Sequence, residues 1–163
     1  MSSFLGLFDR RPKRHATAQR RSHARRKALA GLEFTLAELH HDLQRLAELS
    51  QTTDQDDAAA VTRETATTSR ILEVLARGER FASDLSNDEA ASAWRELAAS
   101  TGRARLLGQG PHRVTKLKDV AAQCEQLQQF VSQELAALEN CPDELTSLQV
   151  TVHLSPRDAG GSR

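Results

Sequence analysis

Aromatic side chains are scarce in this sequence of 163 residues, which has five phenylalanines, one tryptophan (Trp94) and no tyrosine. Strands in sandwiches and barrels favour aromatic and β-branched residues, whereas a core built mainly of alanine, leucine and valine suits helices packed on helices. The length is that of about one domain. The scarcity of aromatic residues therefore favours an all-α protein.

Cysteine is also rare, with Cys124 and Cys141 as the two examples. If one helix joins them, the helical rise separates them by about 25 Å, which is far beyond the reach of a disulfide. We therefore expect no disulfide scaffold, as is typical of an intracellular chain.

Long hydrophobic runs are missing. No stretch approaches the ~18 apolar residues of a transmembrane helix, and the N-terminus lacks the apolar core of a secretory signal. Arg10 and Arg11 are followed by Pro-Lys-Arg, which counts against a twin-arginine signal. We expect a cytoplasmic protein, free or at the membrane periphery. A mitochondrial presequence stays open because the first residues are arginine-rich and amphipathic, although Asp9 and the lack of an obvious cleavage context count against it.

A leucine repeat gives the clearest periodicity. Its members recur at alternating steps of three and four, which is the spacing of a narrow helical seam. They are Leu29, Leu32, Leu36, Leu39, Leu43 and Leu46. We predict a helix over residues 16–51, in which Phe34 and Leu49 widen the seam. Charged neighbours are expected to keep the other faces in solvent, namely Glu33, Glu38, Asp42, Arg45 and Glu48.

Three further helices are predicted. The second starts at Asp54, and Gly78 interrupts its apolar half at a cost of about 1 kcal/mol relative to alanine. The third follows a new cap in residues 86–89 and carries Trp94. The fourth follows the break at residues 108–111 and ends at residues 140–142. Its seam consists of Leu117, Val120, Cys124, Leu127, Val131 and Leu138.

The C-terminal tail has a different pattern, because apolar and polar side chains alternate over residues 148–154 as in a strand. This segment is either a disordered tail or an edge that pairs between subunits. The predicted fold is all-α, with three to four amphipathic helices in an antiparallel bundle or a long coiled-coil hairpin and a short C-terminal strand left open. We divide the chain into a basic arm (1–27), a helical domain (28–141) and a tail (142–163).

Charge is unevenly distributed, although the formal net charge of the whole chain is zero. Residues 1–32 hold nine basic residues and one acid, Asp9, so that this part carries +8. The basic residues are Arg10, Arg11, Lys13, Arg14, Arg20, Arg21, Arg25, Arg26 and Lys27. Such asymmetry predicts an arm that binds a polyanion.

An apolar segment precedes this basic run. On a helix its large side chains share one face, and they are Met1, Phe4, Leu5, Leu7 and Phe8. An apolar wedge beside a polybasic stretch is the two-part arrangement expected for peripheral binding to an anionic membrane. The plainer interpretation is that Phe4 and Phe8 pack back on the bundle.

Other partners stay open. The same basic residues suit sequence-independent binding of nucleic acid, although no aromatic residue lies between Phe8 and Phe34 to stack on bases. A third interpretation pairs the arm with an acidic patch on another copy. The narrow leucine seams favour a homo-oligomer assembled through them, or contact with another helical protein. Our leading hypothesis is a non-enzymatic helical adaptor that self-associates and binds an anionic membrane.

Catalytic and metal sites are not evident. His40 and His41 are adjacent, so on a helix they point about 100° apart and cannot chelate one ion together. No Glu-x-x-His pair of a carboxylate-bridged metal bundle occurs. We therefore expect no enzyme, cofactor or metal. A smaller basic cluster surrounds residues 108–111 and would extend the polyanion surface if the fold placed it beside the arm. Its members are Arg103, Arg105, His112, Arg113, Lys116 and Lys118.

Overall fold

Four helices form the described part of the protein. The structure is a computed structural model that describes residues 11–52, 57–85, 88–107 and 110–140, with the side chains of residues 11–18 and 52 excepted. The helices are α1 (Arg11–Thr52), α2 (Ala58–Leu85), α3 (Glu89–Leu106) and α4 (Pro111–Asn140). No strand occurs in these ranges, and the alternating segment 148–154 lies outside them. The predicted all-α bundle is confirmed.

The helices pack in a ring. Helix α1 contacts α4 and α2 most extensively, and α3 packs against α4 and α2. Short connections join consecutive helices, so that neighbours run antiparallel. The first helix has 42 residues and α4 has 30, which corresponds to lengths of about 63 Å and 45 Å. Helix α1 is therefore the longest helix of the ring, flanked by α2 and α4, with α3 on the opposite side.

The predicted seams form the core. All six leucines of the repeat in α1 are fully buried, and Leu117, Val131 and Trp94 are buried with them. Val120 and Leu127 are buried, and Leu138 is partly buried against the same cluster. These side chains thus pack against helices of their own chain. The expectation that the seams supply assembly contacts between copies is corrected, because α2 and α4 already cover the stripe of α1.

Helix ends follow capping residues. Asp57 Oδ1 accepts a hydrogen bond of 2.9 Å from the backbone N–H of Ala59, so that α2 begins at Ala58 rather than at residue 54. Asp88 caps α3 by accepting from the N–H of Ala90 at 3.2 Å. Gly110 has a φ of 133°, a conformation that favours glycine, and α4 starts at the following proline.

Two side chains of α1 differ from expectation. Phe34 is 61% exposed and does not widen the seam, because a residue midway between Leu32 and Leu36 points away from them on a helix. Asp42, predicted to be solvated, is 1% exposed. It lies on the side of α1 that faces α2, where Arg70 Nε approaches its Oδ2 to 2.9 Å, at an angle that makes no hydrogen bond.

Candidate functional site

The N-terminal third of α1 is the part of the fold that carries the basic run. Helix α1 starts at Arg11, five residues before the predicted start, and runs unbroken through the predicted boundary between residues 27 and 28. Arg25 contacts Asp88, the cap of α3, and this contact marks the level at which α2 turns into α3. Residues 11–24, which we call the basic extension, precede that level and span about 21 Å.

The described side chains of the basic extension lie in solvent. Those of residues 19–24 are all exposed, and so is that of Lys27. Arg20, Arg21 and Lys27 have no hydrogen bond or ion pair within the described ranges. Arg11, Lys13 and Arg14 belong to α1, but the structure does not describe their side chains. Arg10 and the predicted wedge of Met1, Phe4, Leu5, Leu7 and Phe8 lie outside the described residues.

Two arginines of the arm are bound within the chain. Arg25 donates from Nε to Asp88 at 2.8 Å and from Nη2 to Glu134 at 2.7 Å. Arg26 Nη2 lies 2.5 Å from Glu139. Sequence reasoning missed these pairs, because the partners are separated by 63 to 113 positions along the chain. These ion pairs connect α1 with the start of α3 and the end of α4.

The ion pairs of Arg25 with Asp88 and Glu134 favour the charged forms of Arg25 and Asp88. Hydrogen bonds to Asp88 and Glu134 raise the pKa of Arg25 above its ordinary value. Burial opposes ionisation of Asp88, but the hydrogen bonds from Arg25 and from the N–H of Ala90 outweigh it, so that its pKa lies below the usual range. The salt bridge is therefore fully charged at neutral pH. Arg25 and Arg26 are less available to a polyanion than Arg20 and Arg21.

The second basic cluster lies at the opposite end of the bundle. Because α4 runs antiparallel to α1, its first residues lie near the end of α1, whereas Glu134 and Glu139 lie near Arg25 and Arg26. Arg113 is buried and bonded to Glu64 of α2. The cluster therefore does not adjoin the basic extension, and the condition under which it would extend that surface is not met.

A groove between α3 and α4 contains part of this second cluster. It has a volume of about 300 Å³ and is lined by Arg103, His112 and Lys116 together with apolar side chains such as Leu107 and Val120. Lys116 lies 3.6 Å from Asp119, which offsets its charge. The groove is therefore only weakly cationic.

The described ranges contain no cluster of metal-binding side chains. No group of three or more His, Cys, Asp or Glu side chains there could hold a metal ion. His40 Nε2 lies 2.9 Å from the amide of Gln44. Cys124 is buried and donates its thiol proton to the carbonyl of Leu36 at 3.2 Å, and burial raises its pKa to about 12. Such a thiol stays protonated at neutral pH and is a poor nucleophile.

Comparison of the chain with known families, proteins and structures finds no match. No protein-family model matches the chain, and searches of curated proteins and of solved structures find no similar one. Within the part of the chain that the structure describes, no helix is apolar over a length sufficient to cross a bilayer.

Proposed function

We propose that this protein is a non-enzymatic helical adaptor that binds an anionic membrane surface through residues 1–27. The basic residues supply the electrostatic anchor, and Met1, Phe4, Leu5, Leu7 and Phe8 form the apolar wedge. The observation that carries the proposal is the basic extension. It is the part of α1 that precedes the contacts of Arg25 with Asp88 and Glu134, and its described side chains are exposed.

The length of α1 favours insertion of the wedge over packing on the bundle. The helix begins at Arg11, about 21 Å before Arg25. Phe8 is three residues further, and three extended residues reach about 10 Å. Phe8 therefore cannot reach the leucine core while α1 keeps its helical start. Phe4 reaches the level of Arg25 only if all residues between it and Arg11 are fully extended.

Electrostatic attraction is the second contribution to the proposed membrane binding. Seven of the nine basic residues of the arm remain once Arg25 and Arg26 are assigned to their internal partners. Each basic residue close to an anionic leaflet contributes about 1 kcal/mol, and the effect fades within a Debye length. A wedge of five apolar side chains gives marginal binding alone, and these charges hold it at the surface.

Liposome flotation tests this proposal. We expect wild-type protein to float with vesicles that contain anionic lipid, and an Arg20→Glu/Arg21→Glu variant to lose most of that recovery. Arg80→Glu/Lys118→Glu is the matched control, because it reverses two exposed charges elsewhere on the bundle. Equal loss in both double variants would show that net charge, rather than the basic extension, determines binding.

A second candidate is sequence-independent binding of duplex nucleic acid. It is favoured by the helical form of the extension, since one α-helix fits the major groove, which is about 12 Å wide. Phosphate contacts from the same arginines would make the affinity fall steeply with salt. This candidate predicts that binding survives the loss of Phe4 and Phe8, whereas the membrane proposal requires both.

Self-association is a separate expectation. The leucines of α1 are used inside the chain, so any homo-oligomer needs another surface, such as the arm against an acidic patch of a second copy. Molar mass measured by light scattering at low and high salt tests this version. A dimer or filament that dissociates at high salt supports it, and a monomer at both salt concentrations contradicts it.

A further inference from the structure

The groove between α3 and α4 lies at the end of the bundle opposite the basic extension. Its lining residues fall within positions 100–107 of α3 and 112–123 of α4. The volume of about 300 Å³ is near the lower end of the range for small-molecule pockets, which is roughly 300–1,000 Å³. A protein partner would need a contact surface much larger than these few helical turns. The groove therefore has the dimensions of a site for a small molecule.

The floor of this groove is apolar. Ala104 of α3 and Val120 of α4 line it, and both belong to the hydrophobic core, with exposed fractions of 3% and 4%. Leu107, the C-cap of α3, lines the same space and is half-buried. A hydrocarbon group placed here would leave water and would cover the exposed part of Leu107, which is favourable. We call these three side chains the apolar floor.

An arginine without an acidic partner lines the groove beside this floor. Arg103 Nη2 donates a hydrogen bond of 3.0 Å to Oγ of Ser100, which also lines the groove. Within the described ranges Arg103 has no ion pair. The bond to Ser100 uses one of the five N–H donors of the guanidinium, so that others remain for a ligand. A carboxylate can accept two of them at once, which is the strongest form of this interaction.

The charge of the groove indicates how much negative charge a ligand should carry. Its lining residues include two permanent cations, Arg103 and Lys116, and one acid, Asp119, so that these three sum to +1. Lys116 and Asp119 lie 3.6 Å apart and offset each other, which leaves Arg103 as the unbalanced charge. A ligand with one negative charge matches this surplus. A dianion such as phosphate would leave one charge without a counterpart in a partly apolar site, which is unfavourable.

We propose that the groove between α3 and α4 binds a small organic monoanion, a carboxylate attached to one ring or to a short branched chain. The carboxylate binds the guanidinium of Arg103, with Lys116 and His112 as neighbouring polar groups, and the hydrocarbon body lies on the apolar floor. This site does not depend on the function proposed for residues 1–27, because the basic extension lies at the other end of the bundle.

Amide-resolved NMR of the full-length protein tests this site, with benzoate as the probe. We expect saturable shifts of amide signals that concentrate in residues 100–107 and 112–123, with a dissociation constant in about the millimolar range, as is usual for so small a ligand. Benzyl alcohol has the ring without the charge, and acetate has the charge without the ring. Each should bind several-fold more weakly than benzoate, because each lacks one of the two contacts.

Two arginine variants of α3 separate the groove from the overall charge. Arg103→Gln removes the guanidinium from an exposed position, so that the fold is retained, and should weaken benzoate binding by about fivefold or more. Arg95→Gln is the matched control, because it removes another exposed arginine of the same helix, one that lies near Glu79 of α2 and does not line the groove. It should leave the affinity for benzoate unchanged.

The remaining outcomes would overturn the proposal. Benzyl alcohol that binds as tightly as benzoate would mean that the charge of Arg103 is not used, and acetate that does so would mean that the apolar floor is not used. Benzoate shifts that are absent from the groove, or confined to residues 19–24 of the basic extension, would place the anion elsewhere. An equal loss of affinity in Arg103→Gln and Arg95→Gln would attribute binding to net charge and would contradict a site in the groove.

Discussion

Trp94 packs directly against Gly78, so closely that a β-carbon at position 78 would lie 2.0 Å from Cζ2 of the indole ring. Trp94 belongs to α3, and its side chain is fully buried. Gly78 is thus the residue that lets α2 approach the largest side chain of the core. In the sequence this glycine is a weakness of α2, whereas in the fold it makes room for a neighbouring helix.

The first prediction concerns this contact. Gly78→Ala should lower the free energy of unfolding by about 1–3 kcal/mol, because overpacking against a buried ring outweighs the gain of about 1 kcal/mol in helix propensity. Gly102→Ala is the control, since a β-carbon added there in α3 would meet no atom within 4 Å. It should raise stability by up to about 1 kcal/mol. Urea denaturation measures both, and changes of the same sign would contradict this explanation of Gly78.

A smaller loss of stability is expected when Gly31 is replaced by alanine. Its added β-carbon would lie 2.4 Å from Cε1 of Phe81, but that ring is only partly buried and lies at the end of a rotatable side chain. Gly31→Ala should therefore cost less than Gly78→Ala, by about 1 kcal/mol or more. Thermal melts of both variants, collected under identical conditions, check the order. A larger loss at Gly31 would mean that Phe81 cannot move aside.

The ion pair at the start of α3 should make stability depend on acid pH. The pKa of Asp88 is depressed in the folded protein, so its contribution is present above the ordinary Asp pKa of about 3.9 and is lost as pH falls through the lower folded value. Asp88→Asn keeps a capping oxygen but removes the charge. It should destabilise the protein at pH 7 by about 1 kcal/mol or less, since Arg25 is partly exposed.

Urea denaturation of wild type and Asp88→Asn between pH 7 and pH 2 tests that dependence. The difference between the two proteins should shrink toward the acid end of the range. A difference that stays constant, or grows as pH falls, would mean that the carboxylate does not gain stability from Arg25.

Cys124 should react slowly with thiol reagents. Its thiol is buried, hydrogen-bonded to Leu36 and has a pKa raised to about 12, so the thiolate is scarce and inaccessible. In a Cys141→Ser background, labelling by a chromogenic disulfide at pH 8 should follow the rate of unfolding and accelerate in urea. Rapid labelling in native buffer would place Cys124 at the surface.

The helices were predictable because their signals are local. The leucine repeat of α1 and the glycine-containing break before α4 are each visible within a short stretch of sequence. The partners of Arg25 could not be found this way, since Asp88 and Glu134 come from two other helices and nothing in their neighbourhood marks them. Asp42 looked like an ordinary surface acid, and only the approach of α2 with Arg70 buries it. The prediction for Phe34 was wrong because apolar character alone does not specify a helix face.

The candidate site was predictable only as a concentration of charge. Composition identified the basic run, but its separation into internally paired arginines (Arg25 and Arg26) and solvent-exposed ones (Arg20 and Arg21) depends on the antiparallel course of α4. The distance between the second basic cluster and the arm likewise follows from topology. Membrane binding by residues 1–27 stays a prediction.

Membrane anchoring by residues 1–27 is tested by comparing anionic liposomes with duplex DNA at low and high salt, using wild type and a Phe4→Ser/Phe8→Ser variant. Wild type should bind the liposomes at low salt and more weakly at high salt, because salt screens the charges that hold the marginal wedge at the surface, and the double variant should lose most of this binding even at low salt. Equal recovery of the two proteins with liposomes, together with tight DNA binding that disappears at high salt, would contradict membrane anchoring.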